Sequence, residues 1–185
     1  MRMIVDWFTP RHTKNTFTII AQGIGMIGVS WYFLYCASTP AVFHFIDYSN
    51  LIFHEAGHSL FIFFGDFVHI AMGSGFQVLL PFALGSYFFI HKQNLSAAFC
   101  LMWCGESLTN VSVYAGDAIA MQLPLLGGDS VIHDWNYLLT STTLLSHTSL
   151  IASSIYTLGI SMIFIAIGSA TVSLCADLFS SPVKE

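Results

Sequence analysis

Residues 50–65 read NLIFHEAGHSLFIFFG, with two histidines and a glutamate inside a run of Leu, Ile and Phe. His54 and His58 are four residues apart, so on a helix both point to one side, one turn apart, as two ligands of one metal ion must. Glu55 sits beside them. In H-E-x-x-H sites the adjacent glutamate stays off the ion and takes a proton from the water that the ion activates. With 8 histidines in 185 residues, chance supplies on the order of 0.005 such matches, so the pattern calls for a chemical reading. A polar or charged group at mid-membrane costs about 2.5–3.5 kcal/mol. Three clustered on one apolar helix therefore need a compensating partner, and a Zn²⁺ ion is the expected one.

A catalytic zinc takes three protein ligands and keeps one position for water, so a third ligand must come from elsewhere. The stretch 96–121 carries Glu106, Asn110 and Asp117, which at about 100° per residue fall within one stripe about 40° wide. Counted from the segment ends, His58 and Asp117 lie about 10 Å and about 8 Å from the same face, whereas Glu106 lies about 16 Å further along. Asp117 is the favoured third ligand. The following loop, GGDSVIHDW, holds the alternatives His133 and Asp134, with Asp129 nearby and Trp135 as an interfacial anchor.

These groups must be positioned by a membrane fold. The chain is 55% hydrophobic and 8% charged, with 17 Phe and a mean hydropathy of +0.72, against roughly 25% charged in a soluble domain. At about 20 apolar residues per crossing, the expectation is an all-α, polytopic transmembrane bundle of five to six spans forming one integral-membrane domain. A large soluble domain is excluded, and the lack of a basic run excludes nucleic acid as partner. Cys36, Cys100, Cys104 and Cys175 lie in apolar stretches without disulfide or CxxC spacing, and read as small buried hydrophobes.

Span 1 is expected at 16–37, an uncleaved anchor with a small-residue face at Ala21, Gly25 and Gly28. Span 2 runs over about 47–64, flanked by His44, Asp47 and Asp66, which read as interfacial. Residues 65–75 hold too many glycines for a helix and read as a re-entrant or interfacial connection. Span 3 follows at 76–90, with Pro81 and Gly85 predicting a kink. Span 4 covers 96–121, and the last span about 155–178; whether 137–152 crosses is left open. Arg2, Arg11 and Lys14 precede span 1, which places residues 1–15 in the cytoplasm by the positive-inside rule. Residues 179–185 form a tail.

These residues resemble the site-2-protease-like, membrane-embedded zinc metallopeptidases. HEAGH matches that family's first element, a buried HExxH helix. NVSVYAGDA is similar to its second, an aspartate ligand with an asparagine upstream, although the family's proline is missing and GDA stands where LDG is usual. The resemblance implies a multi-pass protein, of the bacterial inner membrane, that hydrolyses a peptide bond in or near the membrane span of a transmembrane or membrane-adjacent protein. Glu55 would be its general base, and Asn110 would orient the substrate strand. Two other classes stand beside it. A histidine-box lipid-modifying enzyme would hold two irons, but the remaining histidines are scattered singly. A non-enzymatic transporter or scaffold would use Glu106, Asp117 and the histidines as an ion or proton relay.

Overall fold

The computed structural model describes residues 15–126 and 131–180. Arg2, Arg11, Lys14, Asp129 and Lys184 lie outside the described residues. Among the described residues there are six α-helices: α1 Thr16–Ser38, α2 Phe45–Phe61, α3 Asp66–Ile90, α4 Asn94–Gly116, α5 Asp134–Ser141 and α6 Thr148–Ser180. Among the described residues there is no strand. The starts of α1, α2 and α3 have local causes. The Asn15 side chain accepts the Thr18 N–H at 2.7 Å to cap α1, a role that suits a short polar side chain. The His44 N–H donates to Asp47 at 2.6 Å and closes the first turn of α2. Gly65 joins α2 to α3 at φ +86°, a left-handed conformation that glycine adopts without strain.

Among the described residues three segments are long and apolar enough to cross a membrane: Thr16–Ser38, Asp66–Ile90 and Leu145–Ser180. The expected count of five to six is not reached by that measure. α2 has only 17 residues, about 25 Å of helix, and α4 carries the polar residues that lower its hydropathy. α4 is instead the most enclosed element, with buried residues along its length from Ala97 to Ala115.

The 65–75 stretch departs from expectation. It is not irregular, because α3 begins at Asp66 and continues through Pro81 to Ile90. Gly65 marks the break before the helix, whereas Gly73 lies inside it and lets the His54 and His58 rings approach closely, as small residues do in membrane interiors. The opposing Gly57 works the same way, since a Cβ there would overlap the Met72 carbonyl. The 137–152 stretch divides between α5, a short 3-10 turn and the start of α6. α5 has 8 residues, about 12 Å, too short to cross alone.

α4 and α6 run antiparallel in close contact. Asn94 donates to Ser173 at one end, the two backbones meet at Gly105 and Gly159 in the middle, and Gly116 faces Ala152 at the other end. Phe33 and Ala37 of α1 join Met102, Ile163 and Ala166 in the apolar core. α3 packs between α2 and α4, with the Cys104 thiol donating to the Val78 carbonyl at 3.5 Å. Cys36, Cys100 and Cys104 are buried as expected, whereas Cys175 is exposed. Antiparallel packing brings the end of α2, the start of α3 and the end of α4 to one end of the bundle, and the chemistry collects there.

Candidate metal centre

His54 and His58 share one face of α2, and their Nε2 atoms lie 3.1 Å apart. The third group is Asp134, whose Oδ2 is 2.9 Å from His54 Nε2 and 3.1 Å from His58 Nε2. Ligands on a tetrahedral ion with bonds of about 2.0–2.1 Å stand about 3.3 Å from one another, so these three atoms already have nearly the spacing that a small divalent cation imposes. The donor set also fits: two imidazole nitrogens and a carboxylate oxygen suit zinc. Among the described residues this is the group of His, Cys, Asp and Glu able to hold a metal ion.

The tautomer of His58 is set by its second nitrogen. Nδ1–H donates to the His69 carbonyl at 3.0 Å, which leaves Nε2 with a lone pair aimed at the shared point. Burial pushes the Asp134 carboxyl up, but the hydrogen bonds and charges of His54 and His58 outweigh it and hold the group below its ordinary range. Asp134 is therefore an anion at neutral pH, as a ligand must be.

Asp134 reaches this place because α5 is tied to three other segments. Its N–H donates to the Tyr114 hydroxyl of α4 at 3.1 Å. The Trp135 indole donates to Ser74 of α3 at 3.1 Å, and Asn136 donates to the Ala118 carbonyl at 2.8 Å. His133 caps α5: its Nδ1 accepts the Asn136 N–H at 3.2 Å, so its Nε2–H donates to Asp117 at 3.3 Å.

Asp117, the favoured third ligand, is thus placed elsewhere. α4 stops at Gly116, and Asp117 turns its carboxylate to the chain that follows, accepting the N–H groups of Gln122 at 3.0 Å and Leu123 at 2.9 Å. Burial raises its carboxyl, yet those two N–H groups and His133 hold it below the usual range. The depth count extended the helix to residue 121, whereas it ends at Gly116 and the Asp117 carboxylate is spent on the turn that follows, apart from the His54, His58 and Asp134 group. His133, an alternative ligand, is likewise committed to the loop. The structure brings His54, His58 and Asp134 together and sets Asp117 and His133 beside them as the clamp that holds α5.

Glu55 is exposed on α2 and lines a cavity of about 520 Å³ together with His54, His58 and Asp134. The rest of the wall is mainly apolar, from residues 40–43 on one side and 123–126, Val131 and Ile132 on the other. Asn110 is also on this wall, but both ends of its amide are engaged. Its NH₂ donates to Asp47 at 3.0 Å and its oxygen accepts from Gln77 at 2.9 Å. Asp47, expected at the interface, is instead only 3% exposed and, with Asn50, joins α2 to Glu106 of α4. Glu106 belongs to this network and not to the metal group.

The residues missed by sequence reasoning are on α3. A Cβ at Gly73 would stand 2.5 Å from His58 Nε2 and 2.8 Å from His54 Nε2, so the imidazoles lie directly over this glycine. His69 and Gly73, four apart on one helix face, form the floor of the site. The signal was present as HIAMG but hidden by reading the glycines as breakers. Gly73→Ala is expected to displace both rings and weaken Zn²⁺ binding by about 10–100-fold, the scale set by disturbing ligand orientation, as measured by chelator competition on the purified protein. Gly25→Ala, with open space around its Cβ, is the control and should leave affinity unchanged.

No protein-family model matches the chain, and neither the curated proteins nor the solved structures include a match.

Proposed function

We propose that the protein is an intramembrane zinc metalloprotease that cuts a peptide bond in or near a membrane span of a transmembrane or membrane-adjacent protein. The observation that carries this reading is the convergence of His54, His58 and Asp134 on one point, with Glu55 next to His54 on the same cavity. Zn²⁺, when bound, lowers the pKa of water to about 7 and polarises a carbonyl. Glu55 accepts the proton of the attacking water and delivers it to the leaving amine, the division of labour that HExxH spacing allows. The apolar wall receives an extended, unfolded stretch of the substrate and keeps bulk water away from it. Asn110 contributes to that wall through its hold on Asp47 and Gln77, which keeps α2 in register with α3 and α4.

The site's depth bears on which bonds are cut. His69 is three residues into α3 and Tyr114 two residues from the end of α4, distances of about 3–5 Å along the helices. On this reading cleavage falls near one membrane face and not at the midplane. Asp47, Asn50 and Glu106, buried together, favour the second reading, a non-enzymatic ion relay.

Metal removal separates the two. Reconstituted in lipid vesicles with a membrane-anchored polypeptide, the protein is expected to lose cleavage on treatment with a zinc chelator and to regain it when Zn²⁺ is restored. Stoichiometric metal without cleavage of any membrane-anchored polypeptide in a diverse set would leave the relay standing and remove the protease.

A further inference from the structure

His58 lies in the last turn of α2, where backbone carbonyls run short of helical N–H partners. Across from it is His69, in the first turn of α3, held there by its N–H to the Gly65 carbonyl at 2.9 Å. The two residues exchange hydrogen bonds. The His58 ring donates from Nδ1 to the His69 carbonyl at 3.0 Å, and the His69 ring donates from Nδ1 to the His58 carbonyl at 2.8 Å. Their rings lie 5.2 Å apart between centroids. Each ring thus pins the other residue's backbone, and the pair forms a closed loop joining the end of one helix to the start of the next.

We propose that His69 is a positioning residue of the metal centre: this reciprocal pair fixes the rotation and tautomer of His58, so that its Nε2 meets His54 and Asp134 at one point. The inference rests on the reading that these three bind a metal. A metal-ligating histidine is normally steered by an acceptor for its second N–H. Here that acceptor is a backbone carbonyl, and its place is kept by the side chain of the same residue. Without the His69 ring, α2 loses its hydrogen-bonded anchor to α3 beside the ligand. The His69 carbonyl is then free to shift away from His58 Nδ1, and the imidazole can turn about its bonds.

The site of the donated proton supplies a discriminating test. The Nδ2 of asparagine occupies nearly the same place as the Nδ1 of histidine, whereas the Nε2 of glutamine is one bond further out. Three variants, His69→Ala, His69→Asn and His69→Gln, are purified in detergent beside the wild type. Zn²⁺ affinity is measured by chelator competition, the d–d absorption bands of the Co²⁺-loaded protein are recorded, and helical circular dichroism is followed for each.

His69→Ala should bind Zn²⁺ about 10–100-fold more weakly with altered Co²⁺ bands. His69→Asn should recover most of the affinity and the wild-type bands, and His69→Gln should not. Wild-type affinity and spectrum in His69→Ala would overturn the proposal. So would equal affinities in the Asn and Gln variants, a comparison that decides the matter even where the alanine chain fails to fold. A wild-type protein that binds no metal would end the metal-site reading itself, and this proposal with it. Metal in the wild type with no sensitivity to His69 would end the proposal alone.

Discussion

Asp134→Ala is expected to strip the protein of its metal, while Asp117→Ala keeps it. Asp134 supplies one of three donor atoms, at 2.9 Å and 3.1 Å from the two imidazole nitrogens. Its removal leaves two neutral histidines and no anion to balance a dication in a low-dielectric site. The loss in Zn²⁺ affinity should exceed about 100-fold, the upper end of what disturbing an outer-shell partner costs. Asp117 acts at one remove. Its carboxylate holds Gln122, Leu123 and His133, so alanine there loosens the segment leading into α5 while three ties to Asp134, Trp135 and Asn136 persist. The expected weakening is within about 100-fold, the range for such partners. Metal content of the two purified variants, measured side by side with wild type, decides it. Retention of stoichiometric metal by Asp134→Ala together with its loss in Asp117→Ala would return the third ligand to the end of α4.

The contrast between these aspartates also shows what could be read from the sequence. HEAGH was legible because both of its requirements are local: a helix, and a spacing of four that puts two rings on one side of it. The third ligand was not, because it depends on where α4 stops. Glu106, Asn110 and Asp117 were given one face of a helix running to residue 121. It ends at Gly116, and the stripe divides into a buried network around Asp47 and Asn50 and a cap for the following turn. A preference for carboxylates buried in a span over those in a loop then pointed away from Asp134. In fact Asp134 opens a short helix that is itself held down by Tyr114, Ser74 and Ala118, and it is 7% exposed.

Glycine misled in the opposite direction. In water a run such as GDFVHIAMGSG weighs against a helix, since each glycine costs about 1 kcal/mol relative to alanine. Here α3 starts just after Gly65 and runs on through Gly73, where the His54 and His58 rings come closest. The all-helical class follows from composition, because a chain with 8% charged residues has little else to do with its backbone in lipid than form helices; the five to six spans expected from it are not reached, with three helices among the described residues long and apolar enough to cross. Which glycines break a helix and which admit a neighbour depends on contacts between segments, and no local pattern carries that information.

The largest expected effect on activity comes from Glu55→Gln. The change keeps the shape of the side chain and removes only the carboxylate's ability to take and return a proton. Glu55 is not among the three atoms that converge on the metal position, and it is exposed on the cavity side of α2, so metal content should remain at the wild-type level. Turnover of a membrane-anchored polypeptide should fall by about 10²–10⁴-fold, the contribution of a positioned general acid–base group. The fall should appear in kcat and not in KM, because the group acts on the attacking water and the leaving amine and contributes little to holding the substrate. The companion change His54→Ala removes a ligand and should lose metal and turnover together. That difference is the argument for the role: if both variants lost metal, Glu55 would be part of the ion's cage, and if Glu55→Gln cleaved at the wild-type rate, the proton would have to pass through another group on the same wall.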